Sequence, residues 1–148
     1  MGIPKSITEL QIKSALDYAS ASADRNGATL DMFGFRGVLM CVKFAAIATG
    51  AVTKIKAQQG ADSGLSDAAD IAGTGITVAD DDDNQTFIID LYEPVERYVR
   101  VVVDKDGVNA TAEMAWYIQY GATARPTTPT IADAVTYERH MSPAEGTA

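Results

Sequence analysis

Three runs of alternating residues crowded between Thr86 and Gly121 constrain the fold of this chain more than any other feature. TFIIDLY (86–92) places Phe87, Ile89 and Leu91 on one side. RYVRVVVD (97–104) places Val99, Val101 and Val103 opposite Tyr98, Arg100 and Val102. TAEMAWYIQYG (111–121) separates Met114, Trp116, Ile118 and Tyr120 from Glu113, Tyr117 and Gln119. The apolar company of Trp116 predicts a core position for it. A period of two belongs to strands, because successive side chains leave a pleated backbone on opposite faces. Several such runs with little competing helix predict an antiparallel sheet protein.

The preceding segments agree. ATLDMFGFRGVLMCVKFAAIATG is rich in β-branched and aromatic residues, and one long strand is expected over 37–48, buried on both faces. AVTKIKAQQ alternates Thr53, Ile55 and Ala57 with Lys54, Lys56 and Gln58, as a half-exposed strand does. Asn26-Gly27 and Lys105-Asp106-Gly107 read as tight turns, the second as a hairpin. QGADSGLSDAADIAGTG (59–75) reads as a loop in which Ser66 caps a short helical turn over 67–72. Residues 3–19 fit either a short helix or an edge strand. The expected fold is all-β: an antiparallel, jelly-roll-like sandwich over residues 31–121, an N-terminal arm, helix or edge strand over 1–30, and an extended C-terminal arm over 122–148. Pro126, Pro129 and Pro143 keep that last segment out of a central strand. It is a solvated tail or an arm laid across a neighbouring subunit. Ile131, Val135, Tyr137 and Met141 are its candidate partner contacts.

Charge narrows the function. The formal net charge is −8 and the excess sits entirely in residues 76–148. An acidic chain without a basic stripe is repelled by nucleic acid. No apolar run is long enough to cross a bilayer as a helix, and MGIPKSITELQIK lacks the apolar stretch of a secretory signal. The single cysteine, Cys41, excludes an internal disulfide framework, and its apolar neighbours predict a buried, inert thiol.

The search for chemistry centres on Asp80-Asp81-Asp82-Asp83. An EF-hand loop requires glycine at its sixth position and glutamate at its twelfth. Counting from Asp80 gives Gln85 and Leu91; counting from Asp82 gives Phe87 and Glu93. Adjacent carboxylates on extended chain point alternately, so they do not converge on one ion. The expected role is a solvated turn leading into a strand, with Asp80, Asp82 and Asp83 the weaker candidates for a cation site shared between subunits. His140 is the only histidine, and no nucleophile elbow, phosphate loop or Cys/His cluster occurs. Asp90 and Glu93 lack an apolar surrounding that would raise a carboxyl pKa for acid/base work. No enzyme activity, cofactor or small-molecule substrate is expected.

Three stretches carry a resemblance: LDMFGFRGVLMCVKFAAIATGAVTKIKAQQ, DIAGTGITVADDDDNQTFIIDLY and ERYVRVVVDKDGVNATAEMAWYIQYGATARP, with the closing HMSPAEGTA. Together they resemble a family of small structural proteins of tailed bacteriophages. The resemblance implies a capsid decoration or cement protein on the outer surface of the virion, made in the host cytoplasm. Its implied partners are the major capsid protein and copies of itself, as a dimer or trimer. Two alternatives stay open: a neck or tail-completion protein, and a carbohydrate-binding sandwich that uses Trp116 and nearby tyrosines as stacking surfaces.

Overall fold

The computed structural model describes residues 7–51, 53–105, 107, 109–124, 127, 135–138 and 146. A 3-10 turn, Ile7–Glu9, leads into ten strands: β1 (Gln11–Ala21), β2 (Arg25–Asn26), β3 (Leu30–Asp31), β4 (Gly37–Phe44), β5 (Thr53–Gly60), β6 (Ala69–Asp70), β7 (Ile76–Val78), β8 (Thr86–Tyr92), β9 (Tyr98–Lys105) and β10 (Thr111–Tyr120). One sheet has the order β1-β10-β4-β8. The other has the order β2-β9-β5-β6, with β3 also on β9 and β7 also on β5. Every pairing is antiparallel. The chain is therefore an all-β sandwich. Of the alternatives for residues 1–30, the edge strand describes β1, so the sandwich takes in residues before 31 as well.

The period-two reading holds for most strands. Ile89 and Leu91 of β8, the three odd-numbered valines of β9, and Ile55 and Ala57 of β5 meet Val38, Met40, Val42 and Phe44 of β4 in one buried cluster. Phe44 and Phe87 pack edge to face at 5.7 Å. The long strand expected over 37–48 stops at Phe44.

Three local expectations fail. Asn26-Gly27 is not a tight turn: Arg25 and Asn26 pair with Val103 and Val102. Gly27 is wedged between its neighbour strand β9 and the other sheet, so that an added Cβ would lie 2.9 Å from the Val101 carbonyl and 2.6 Å from the Tyr117 hydroxyl. Glycine serves close approach there rather than turn geometry. The Asp-Gly pair after Lys105 joins no hairpin either, since β9 and β10 lie in different sheets. No helical turn spans 67–72. Ala69 and Asp70 pair with Gln59 and Gln58, and the preceding loop is held by carboxylates. Asp67 accepts from the amide of Ala61, and Asp62 from those of Gly64 and Ser66, which hold Asp62 below its usual carboxylate range, the Ser66 amide foremost.

The largest departure is in β10. Its buried residues are Thr111, Glu113, Ala115, Tyr117 and Gln119, so the polar set faces the core and Trp116 sits half-buried on the outside. The inward polar groups are partnered, except that Gln119 Oε1 is buried without a hydrogen-bond partner among the described residues. Lys105 Nζ donates to both Glu113 carboxylate oxygens at 3.0 Å and to the carbonyl of Ala21 at 2.7 Å. Arg25 Nη1 reaches Glu113 Oε1 at 2.8 Å, and the Thr111 hydroxyl donates to Oε2 at 3.0 Å. The Tyr117 hydroxyl accepts from the Val101 amide at 3.0 Å and donates to the carbonyl of Ala28 at 2.9 Å. Gln119 Nε2 donates to the carbonyl of Asp31. Buried polar groups are tolerated when their hydrogen bonds are made. In this strand those bonds outweigh the hydrophobic ordering and turn the apolar set outward.

Candidate interaction surfaces

The loops gather at two ends of the sandwich. At one end the aspartate run binds backbone rather than converging. Asp83 Oδ1 accepts from the amide of Ile47 and Asp80 Oδ2 from that of Gly50, each at 2.6 Å. Asp82 accepts from the Ala79 amide at 2.8 Å and from Gln85 Nε2 at 3.0 Å. The run therefore tethers the β7–β8 turn to the β4–β5 loop. Among the described residues, no group of three or more His, Cys, Asp or Glu is placed to hold a metal ion.

The opposite end carries a cleft of about 400 Å³ between the β3–β4 and β8–β9 loops. Phe33 and Val95 stand at its rim, 76% and 86% exposed. Arg97 organises it. Its guanidinium makes a two-pronged contact with Asp31, at 2.8 and 2.7 Å, and lies 5.0 Å from the Phe33 ring centre and 5.2 Å from that of Tyr98. That hydrogen bonding from Arg97 holds the Asp31 carboxyl below its usual range. Glu93 adopts a left-handed backbone, φ 49°, and its amide donates to the carbonyl of Arg36 at 2.7 Å, joining the two loops. A pre-arranged arginine beside exposed aromatic and aliphatic groups has the composition of a protein-binding hot spot.

The outer faces of the two sheets differ. On the β9–β5 sheet the face is ionic: Lys56 pairs with Asp70 at 2.9 Å and with Asp104 at 3.2 Å, and Arg100 donates to Gln58 at 2.8 Å. On the β10–β4 sheet it is apolar. Register places Trp116 beside Cys41 and Cys41 beside Ile88, with Ile118 flanked by Leu39 and Ile12. Ile88 is 52% exposed and Met114 40%. Cys41 is buried in this layer, and loss of water pushes its thiol pKa up. The Tyr120 hydroxyl donates to Asp90 at 2.5 Å, and burial together with that carboxylate pushes the phenol up to about 12.

The remaining candidates distribute as follows. Asp90 and Glu93 are exposed; Asp90 receives the Tyr120 hydroxyl, and Glu93 lies 4.0 Å from Arg36. Val135 and Tyr137 are half-buried, alternating with exposed Thr136 and Glu138. Ile131, Met141 and His140 lie outside the described residues. The Phe33–Val95 cleft escaped the sequence reading, because its residues come from loops far apart in the chain. Isolated exposed Phe and Val leave no periodic signal.

No family model matches the chain. No curated protein matches it either. Among solved structures, it is similar to a chain from work described as "Bacillus endospore appendages form a novel family of disulfide-linked pili", at 12% identity and a TM-score of 0.44, over 83% of this chain and 100% of that one.

Proposed function

We propose that the protein is a non-enzymatic structural component of a phage virion, a decoration protein that binds the assembled capsid and stabilises it. The observation that carries this reading is where the charged and polar groups go. Glu113, Lys105 and Arg25 cross-brace the two sheets, and the aspartate run ties loops. Beside the ionic outer face of the β9–β5 sheet, the chain presents outward an apolar sheet face and the Phe33–Val95 cleft. This distribution suits contact with other proteins. The strand order supports the jelly-roll reading: the chain winds so that first and last strands are neighbours in one sheet while β9 and β5 lie side by side in the other. The partners are the major capsid protein, for which the cleft is the proposed contact, and further copies of the chain. A ligand that binds only the assembled lattice stabilises it by mass action. The half-buried Val135 and Tyr137 fit an arm that contributes to the same contacts.

Quantitative mass spectrometry of purified virions tests the proposal. A copy number comparable to that of the major capsid subunit is expected, whereas a small ring-like number would move the protein to the neck or tail. The carbohydrate-binding alternative gains one observation, the outward placement of Trp116. Glycan-array binding lost in Trp116→Ala would favour it over decoration.

A further inference from the structure

We infer that two copies of this chain pack together through the outer face of the β1-β10-β4-β8 sheet, related by a two-fold axis that crosses the strands at the level of Cys41 and Ile88. The inference rests on the self-association within the proposed function, and it assigns the surface.

The first argument is electrostatic. The chain carries a net charge of −8, so two copies repel over most orientations. The strands β4, β8 and β10 place two charged side chains on this face, Lys43 and Asp90, which cancel, and the charges of β1, Lys13 and Asp17, belong to the sheet's edge strand and also cancel. It is therefore a place where a second acidic copy can approach without like-charge repulsion. The outer face of the other sheet is also of mixed charge, but its ions are already paired with one another within the chain, and Arg100 is bonded to Gln58.

The second argument is complementarity. Cys41 is opposite Ile88, Lys43 is opposite Thr86 and Asp90 is opposite Leu39. Lys43 therefore lies two residues to one side of the Cys41–Ile88 level, and Asp90 two residues to the other. A two-fold axis across the strands at that level brings Lys43 to the height of the partner's Asp90, and the reverse. Trp116 and Ile88 then lie near the axis. An isologous contact requires this self-complementarity of one patch.

Size permits a small interface: four strands about 4.8 Å apart and about 26 Å long offer roughly 500 Å² per partner in projection, at the lower end of specific contacts. The residue types, Trp, Met and Ile with few charges, are those of an interface centre.

Light scattering coupled to size exclusion on the full chain tests the inference with no virion present. The wild type is expected to be dimeric at micromolar concentration. Ile88→Asp, at an already exposed position, is expected to weaken the dimer at least tenfold, with an unchanged far-ultraviolet circular dichroism spectrum. Lys43→Glu is expected to weaken it as well, and the double charge swap Lys43→Glu/Asp90→Lys to restore it. A monomeric wild type, an assembly indifferent to both single variants, or a double swap worse than either single one overturns the assignment. So does a monomer whose Trp116 is protected only by glycan or by capsid protein. Virion copy number does not enter this test, so the decoration reading and the interface can fail separately.

Discussion

Replacing Tyr117 by phenylalanine removes one oxygen atom from the centre of the sandwich. That oxygen fills the gap between β2 and β3, where β9 has no partner strand on that edge, by accepting from Val101 and donating to Ala28 across the two sheets. The side chain is 1% exposed, so no water replaces it. Phenylalanine leaves a buried amide and a buried carbonyl without partners, at about 1–3 kcal/mol each, discounted for relaxation to roughly 2–4 kcal/mol in total. For a chain of this size that lowers Tm by roughly 5–15 °C. Urea unfolding should show an earlier midpoint with an unchanged slope, and native-state hydrogen exchange should show faster exchange at the Val101 amide. Gly27→Ala attacks the same place from the other side, because its Cβ would meet the same hydroxyl, and the two substitutions should combine non-additively. A Tyr117→Phe stability within 0.5 kcal/mol of wild type, with Val101 exchange unaltered, would refute the claim that this hydroxyl bridges the sheets (a change so small lies within the scatter of surface substitutions).

Glu113→Gln strips the carboxylate charge from the buried Lys105 and should cost about 3–5 kcal/mol, whereas replacing both by apolar residues of similar volume should be far milder; chemical denaturation of the single and double variants distinguishes the two. Asp83→Ala and Asp80→Ala should each cost about 1 kcal/mol, with faster exchange confined to the Ile47 and Gly50 amides. Tyr117 and Tyr120 should ionise above the ordinary tyrosine range, burial being the main cause for both. Because their folded pKa values are raised, the stability they contribute is intact below pH ~10 and is lost as pH rises from there toward and beyond about 12. Phenolate absorbance followed together with unfolding checks this, and free titration of both groups near 10 would count against their placement.

The sheet content was legible in the sequence because alternation reports the pleat directly. The faces of β8, β9 and β5 follow from it. What the sequence hid was the sense of β10. Glu113 and Gln119 look like surface residues until Lys105, Arg25 and the Asp31 carbonyl are brought to them from elsewhere in the chain, and no local pattern announces a long-range partner. Turn chemistry misled for a related reason. Asn26-Gly27 and Asp106-Gly107 carry the residues of tight turns, yet Gly27 answers a tertiary approach, and β9 and β10, on either side of the second pair, lie in different sheets. The aspartate run was legible as a turn. That its carboxylates would reach the amides of Ile47 and Gly50 was not.

Pairing the first long strand with the last also sets the timing of folding. Gln11 pairs with Gln119 and Ala21 with Thr111, and among the described residues β10 is the strand that joins β1 to β4. During synthesis β1 therefore waits for its partner until β10, about a hundred residues later, has left the ribosome, while β4 and β8 can already pair. Loop-closure entropy falls due before these distant contacts repay it, which makes folding slow. The Lys105–Glu113–Arg25 brace likewise cannot assemble until β10 arrives. Folding of this sheet should consequently be late and all-or-none, and chains truncated before Thr111 should fail to form the β1-β10-β4-β8 sheet.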